Sequence, residues 1–251
     1  MNVLVIGANG YLGPHVVERL APLHRLRIPD IKPAPADVRK RFSDHEFMNL
    51  DVTSADQVMK ACDGMDAVLN LSVLRQHRKI AFKVNSEGCY NVMHAAVKHK
   101  IRRVINTGPH FTITGPSYES FDHGITPNVP AHSGTNIYAL SKSLGQEICR
   151  AFSERYDVYV LDFLFYNFRD VDKFKRGDGG VPYIVSWEDA AQAFERGLEV
   201  DLNTLPSRCE IFFIQGNNPQ GKFLNEKTKR LLGYEPQRDV TFLWRKRDER
   251  R

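Results

Sequence analysis

Val3-Leu4-Val5-Ile6-Gly7-Ala8-Asn9-Gly10-Tyr11-Leu12-Gly13 decides the fold. Val3–Ile6 is an unbroken apolar run, as expected of a strand covered on both faces. Three glycines follow at three-residue spacing, and Leu12–Leu20 then carries a helical pattern. A strand, a glycine-rich turn and a helix start, in that order, form a phosphate cradle. One glycine permits the tight turn, one lets the backbone approach a pyrophosphate, and one lets helix and strand pack closely. The helix N-terminus adds unpaired N–H groups and positive potential. Gly7, Asn9, Gly10, Tyr11, Leu12 and Gly13 are therefore candidate dinucleotide-binding residues. Their spacing is GxxGxxG rather than GxGxxG.

The pattern continues outward. Leu26–Ile28, Phe47–Leu50, Ala67–Leu69, Val104-Ile105, Val158–Phe163 and Ile211–Ile214 read as strands. Ala55–Ala61, Ile80–His99, Ile137–Tyr156, Ser186–Glu199 and Phe223–Leu232 read as helices, the last ended by Gly233. A Pro-rich turn through Pro29, Pro33 and Pro35 follows the second strand. Ser186 can cap its helix, with Glu188 and Asp189 in the first turn favouring the dipole. Strands alternating with helices imply an α/β fold built on a doubly wound parallel sheet. We expect a single domain over 1–251, in which about 165–185 and 215–251 form a small C-terminal lobe on the substrate side. A loop from Thr107 to near Thr135 is rich in Gly, Pro, Ser and His, and loops of that length are usually functional.

Composition narrows the class. The 251 residues are 42% hydrophobic and 26% charged, the balance of a soluble globular chain. They contain no apolar run of membrane-spanning length and no signal peptide, so a cytoplasmic location and no membrane partner are expected. The net charge is +5, and residues 244–251, with five basic and two acidic side chains, carry +3 of it. The surplus is largely a solvated tail, and no nucleic-acid partner is expected. Cys62, Cys89, Cys149 and Cys209 are far apart, form no CxxC and read as small buried hydrophobes; no metal site is expected.

A second stretch, Tyr138-Ala139-Leu140-Ser141-Lys142, puts a phenol and an ammonium four residues apart on one helical face. A phenol titrates near ~10, and a nearby cation favours the phenolate. Tyr138 can then exchange a proton with a substrate hydroxyl or carbonyl while a hydride moves to or from a nicotinamide. Lys142 would be its electrostatic partner and could also hold the nicotinamide ribose. Asp30 lies 17 residues after Gly13, near the offset at which a carboxylate bonds an adenosine ribose. It would repel a 2′-phosphate, so NAD is expected over NADP. Two readings compete with this: Lys32 could reach a phosphate, and Asp30 could be a turn residue beside Pro29. Asp51, followed by Val52, could bond the adenine amine or simply form a turn before Thr53-Ser54.

These motifs resemble an extended short-chain dehydrogenase/reductase of the NAD-dependent epimerase/dehydratase family, with a Rossmann-like fold. The resemblance runs from Val3 to about Gly233 and includes Leu50-Asp51-Val52, Val84-Asn85-Ser86-Glu87-Gly88, Arg103-Val104-Ile105 and Leu232-Gly233-Tyr234-Glu235-Pro236. The compact C-terminal region, Glu18-Arg19-Leu20-Ala21-Pro22 and Phe111-Thr112-Ile113 look like uronate dehydrogenases. The resemblance implies that Asn70, Leu71, Ser72 and Thr107 line the cofactor, and that Asn85 organises the active-site side of its helix. It places Tyr166 and Asn167 near the nicotinamide, and residues 109–135 and 165–185 around the substrate. It implies a homodimer formed through the helices near 80–99 and 137–156.

Two departures stand out. The family expects Ser or Thr just after the fifth strand, where this chain reads Asn106-Thr107-Gly108-Pro109-His110-Phe111-Thr112. Ungapped alignment puts Gly108 and Pro109 at the hydroxyl positions; counting back from Gly115 puts His110 there. Either His110 takes over as the hydrogen-bonding group, or Thr107 or Thr112 points into the same space, or the site is impaired. Leu161-Asp162-Phe163 stands where the family often has Leu-Arg-Pro, and Arg75, Arg169 and Arg176 are the candidates for pairing a substrate carboxylate. The expected function is NAD-dependent hydride transfer to or from a sugar, sugar acid or similar small polyol, with Tyr138, Lys142, His110 and Thr112 as the catalytic candidates. The alternatives are a nucleotide-sugar epimerase or dehydratase with tightly held NAD, and a non-catalytic NAD-binding sensor.

Overall fold

The apolar runs become the strands of one parallel sheet. The computed structural model describes residues 1–114 and 123–245. Within them the first half alternates β1 (Asn2–Ile6), α1 (Gly13–Leu20), β2 (Arg25–Asp30), α2 (Ala36–Arg41), β3 (Glu46–Asn49), α3 (Ala55–Cys62) and β4 (Ala67–Asn70). Next come α4 (Arg78–Phe82), a π-helical turn at Lys83–Glu87, α5 (Gly88–Lys98), β5 (Arg103–Pro109) and α6 (Phe111–Thr114). The second half holds α7 (Ile137–Arg155), β6 (Tyr159–Phe165), β7 (Phe168–Arg169), β8 (Val185–Ser186), α8 (Trp187–Glu199), β9 (Cys209–Phe213) and α9 (Glu226–Leu232). Among the described residues seven strands pair in the order β3-β2-β1-β4-β5-β6-β9, all parallel, and β7 and β8 pair separately. The chain order reverses between β1 and β4, which opens a crevice at the carboxyl ends of the strands. Among the described residues no helix is long and apolar enough to cross a membrane.

Strand alternation divides the core into two layers. Val3, Val5, Leu69, Ile105, Leu161 and Phe163 face α1 and α8 with Val16, Leu20, Phe194 and Leu198. Leu4, Ile6, Val68, Val104 and Val160 face α3, α5 and α7 with Val58, Val92, Met93 and Cys149. Both faces are buried, so these strands read as continuous apolar runs.

Local chemistry sets the helix ends. The Asn136 side chain accepts from Tyr138 N and Ala139 N, so α7 starts with Tyr138 in its first turn. Ser186 Oγ accepts from Asp189 N at 2.9 Å, as expected. Gly233, at φ 64°, supplies the left-handed residue that ends α9.

Three expectations change. The segment after the Pro-rich turn contains α2, which buries no residue and so leaves no apolar period to read. The helix expected from Phe223 starts at Glu226, because Phe223 bridges to Ile125 and packs against Tyr183 and Phe213. The long helix over 80–99 is interrupted by its π turn. Part of the expected loop, residues 115–122 including Gly115, and the basic tail beyond Arg245 lie outside the described residues.

Candidate active site

The glycine turn is fixed by close packing. Gly7 has φ 81°, and a Cβ on it would meet the Leu71–Ser72 backbone at 3.0 Å. A Cβ on Gly13 would overlap the Ala8 carbonyl. Gly7 N donates to Pro29 O at 3.2 Å, and Asn9 N donates to the Asp30 carboxylate at 2.9 Å. Asn9 Nδ2 donates to Lys32 O at 2.8 Å, and Asp30 also accepts from Lys32 N. Asp30 thus ties the turn to the end of β2, a contact that its spacing from the glycines does not show. The start of α1 opens onto a cleft of about 430 Å³ lined by Gly7, Gly10, Tyr11, Leu12 and Gly13. A cradle that tolerates no Cβ, at a helix N-terminus, fits a dinucleotide pyrophosphate.

The same cleft receives the second motif. Tyr138 and Lys142 line it together with Thr107, Gly108, Arg75 and Tyr166. Lys142 is buried, and its Nζ donates to the carbonyls of Ser72 and Thr107, each at 2.8 Å. Burial pulls its pKa down to about 8. Arg75 also lies against the phenol: its guanidinium carbon is 5.6 Å from the Tyr138 ring centroid and 5.9 Å from that of Tyr11. Desolvation raises the Tyr138 phenol above its usual value, and the Arg75 charge opposes this.

The candidates for the missing hydroxyl take different positions. Gly108 lines the cleft, and a Cβ on it would lie 2.7 Å from Gln146 Nε2. Gln146 comes one turn after Lys142 on α7, and its Nε2 is buried without a hydrogen-bond partner. His110 is outside the cleft lining, enclosed by the rings of Phe111, Tyr166, Tyr183 and Phe223. Burial pushes its pKa down to about 3, so the imidazole is neutral at ordinary pH. Thr112 does not reach the cleft either; its hydroxyl is buried and donates to Pro109 O at 3.0 Å. Thr107 lines the cleft, but its hydroxyl donates to Asn70 O at 2.8 Å.

The remaining expected residues divide by position. Leu71 and Tyr166 line the cleft, whereas Asn70 and Ser72 lie beneath it, joined by Ser72 Oγ donating to Asn70 Oδ1 at 2.6 Å. Asn85, in the π turn, accepts from Leu74 N and donates to Leu74 O and Ser141 Oγ, holding the segment before Arg75 against α7. Asp51 and Val52 stand outside the cleft lining; the Asp51 carboxylate accepts from the Thr53 amide and hydroxyl, the geometry of a turn. Of the three arginine candidates only Arg75 lines the cleft, and Arg169 donates to Phe168 O. Sequence reasoning missed the wall formed by Phe165, Phe168 and Trp187, in which Trp187 stacks between Phe168 and His15. These rings come from separate elements, and no local pattern joins them.

Known proteins are similar to this chain to different depths. The chain is 24% identical to the NAD-dependent glucose-6-phosphate dehydrogenase of Haloferax volcanii, over 94% of this chain and 92% of that one. It is 30% identical to the uronate dehydrogenase of Pseudomonas syringae pv. tomato, over 62% of this chain and only 55% of the relative's length. The crystal structure of uronate dehydrogenase from Agrobacterium tumefaciens superimposes with a TM-score of 0.77 at 24% identity, covering 94% of this chain and 84% of that one, which shows a shared fold. The NAD dependent epimerase/dehydratase family matches residues 3–168, from β1 through the cleft to β7. With the glycine cradle, the parallel sheet and most of the chain inside that match, the protein belongs to the NAD dependent epimerase/dehydratase family.

Proposed function

We propose that the protein is an NAD-dependent oxidoreductase that moves a hydride between NAD and a hydroxyl-bearing carbon of an anionic sugar. The observation that carries this reading is the meeting of the glycine cradle, Tyr138 and Lys142 in one cleft. Gly7–Gly13 and the start of α1 would hold the pyrophosphate, and Asp30 the adenosine ribose, which favours NAD over NADP. Asp51 and Val52 would border the adenine, and Leu71 and Tyr166 the nicotinamide end. Bound NAD supplies the hydride acceptor. Tyr138, as the phenolate that the Arg75 cation stabilises, would take the hydroxyl proton of the substrate and become the neutral phenol, and Lys142 would fix the carbonyl-lined floor beneath them. Phe165, Phe168 and Trp187 exclude water. Arg75 is exposed at the mouth of the cleft, whereas the Lys142 ammonium is committed to backbone carbonyls. A carboxylate or phosphate on the sugar is therefore the natural partner of Arg75. The names of the relatives, a sugar-phosphate dehydrogenase and a uronate dehydrogenase, point the same way.

The segments near 165–185 and 215–251 would form the substrate-side lobe, of which 246–251 lie outside the described residues. They share a small cluster of Ile184, Val240 and Leu243 packed by Val171, Phe174 and Trp244. The outer faces of α5 and α7, which expose Tyr90 and Leu144, would form a homodimer contact.

Tyr138→Phe tests the proposal. Turnover with uronates or sugar phosphates, followed as NADH formation, should fall at least ~100-fold, the order expected for loss of a general acid–base. NADH affinity, followed by fluorescence titration, should stay within about threefold. Turnover unchanged by the substitution would sink the assignment. One observation favours a second reading, a cofactor-binding sensor: His110 and Thr112 stand outside the cleft lining, Gly108 has no side chain to offer, and Thr107 turns its own hydroxyl to Asn70 O. NAD binding without turnover across such a panel would support it.

A further inference from the structure

Beneath the cleft a row of buried polar side chains crosses the central strands. The sheet register aligns Asn70 on β4 with Asn106 on β5, and Asn106 with Asp162 on β6. All three are 1–2% exposed. Asn106 Nδ2 donates to Asp162 Oδ1 at 2.7 Å, and Asn70 Nδ2 donates to Asn106 Oδ1 at 3.0 Å. Asn70 Oδ1 accepts from the Ser72 hydroxyl at 2.6 Å, and Asn70 O accepts from the Thr107 hydroxyl at 2.8 Å. The two carbonyls that hold Lys142 Nζ belong to these same two residues, Ser72 and Thr107.

The order of donors and acceptors is set from one end. An ionised carboxylate only accepts, so Asn106 must turn its amide nitrogen to Asp162 and its oxygen to Asn70. Asn70 must then turn its nitrogen to Asn106 and its oxygen to Ser72. Three aligned dipoles thus carry the negative end of the row toward Ser72, beside the lysine. We propose that Asp162 is a positioning residue for Lys142: through Asn106 and Asn70 its carboxylate orients the carbonyl cradle and supplies the buried counter-charge that keeps the ammonium protonated. This rests on the reading of Lys142 as part of the working cleft.

The cation that acts on Asp162 is Lys142, which on its cleft side also feels the Arg75 charge. Asp162 faces Asn106 on β5, Lys142 on α7 and the Cys209 thiol on β9, and the Cys89 thiol on α5 and the Cys149 thiol on α7 complete the pocket. The hydrogen-bonded contact with Cys89, together with burial, raises the Cys149 thiol, and burial raises that of Cys209, so both stay neutral. Burial also pushes Asp162 up to about 6, while Lys142 pulls it back.

Asp162→Asn keeps the shape and removes the charge. Two readouts separate this proposal from the functional one. In the apoprotein, urea unfolding from pH 4 to 10 needs no turnover. Parental Asp162, raised when folded, contributes stability below its unfolded value that is lost as pH rises through about 6. Lys142, depressed when folded, contributes stability at high pH that is lost as pH falls through about 8. The variant should match the parent near pH 4, exceed it at pH 7, and start its alkaline rise about one pH unit lower, because Lys142 has lost its counter-charge. In the holoenzyme, the alkaline fall of kcat should move down by about one unit, with NADH affinity within about threefold. Asn70→Ala cuts the row while leaving Asp162 in place; it should move the alkaline limbs in the same direction and stands in if Asp162→Asn does not fold. Stability and kcat profiles that superimpose on the parent's at the alkaline side, in the variant that folds, overturn the proposal. A shifted stability profile in a protein without turnover upholds it and removes only the functional reading.

Discussion

The glycine turn and the corner after β5 face each other across one cleft, and they are specified in opposite ways. At Gly7–Gly13 the backbone does the work: side chains are excluded, and Asp30 ties the turn down by a main-chain contact. At Thr107–Thr112 the backbone leaves room, and side chains from distant elements decide what fills it. Gln146 arrives from α7, Arg75 from the segment after β4, and the aromatic cage around His110 from α6, the residue after β6 and the segments before β8 and α9. A site written in backbone has few solutions and a short motif; one written in side chains has many solutions and no motif.

The comparison breaks most visibly at Gly13. Gly13→Ala would push a methyl into the Ala8 carbonyl, and the turn has no flexible side chain to yield. Stability should fall by about 2–3 kcal/mol, as for overpacking, and NADH affinity at least ~100-fold. Thermal melts and fluorescence titration check both, and an unaltered affinity would show that the cradle does not bind the cofactor.

Arg75→Leu probes the side-chain half. With the opposing charge gone, desolvation of Tyr138 acts alone and the phenol rises further. The pH at which kcat gains its active phenolate should move up by about one unit, and kcat at pH 8 should fall ~10-fold. KM for a uronate should rise while KM for NAD stays put. If only thermal stability changes, Arg75 is a surface residue that happens to lie over a ring.

Gly108→Ser gives the smallest effect. The atom in the way is the end of the flexible Gln146 side chain, so stability should change by less than about 1 kcal/mol. The added hydroxyl, beside the Gln146 amide at the cleft wall, should raise kcat a few-fold if Gln146 swings aside. A large loss of kcat would show that Gln146 itself contacts the substrate.

The contrast also explains what could be read from the chain alone. Val3–Ile6, the glycines, Tyr138 and Lys142 were legible because each rests on a strand run, a turn or a helical spacing, all of them local. So was the Ser186 cap, which the structure keeps. The Lys142 contacts were not, because they depend on which carbonyls β4 and β5 present at that depth. Arg75 carried no periodic signal; it meets Tyr138 only because Asn85 grips Leu74 and Ser141 together. His110 is one of the alternatives that the sequence offers for the missing hydroxyl, yet four rings enclose it, and such an enclosure is invisible one residue at a time. Asp162 looked like a lost arginine, and its partners in the sheet register supply the reason for a carboxylate.

The π turn at Lys83–Glu87 has a consequence for counting. Such a turn is one residue longer than the α-helical turn it replaces. Delete that residue and everything on one side of it rotates by about 100° relative to the other. Asn85 would then leave Ser141, or Cys89, Val92 and Met93 would leave the core; no straight helix satisfies both. The irregularity therefore acts as a gear between two meshing requirements, and a relative lacking it should differ here by a single deletion, accompanied by loss of the Asn85 clamp.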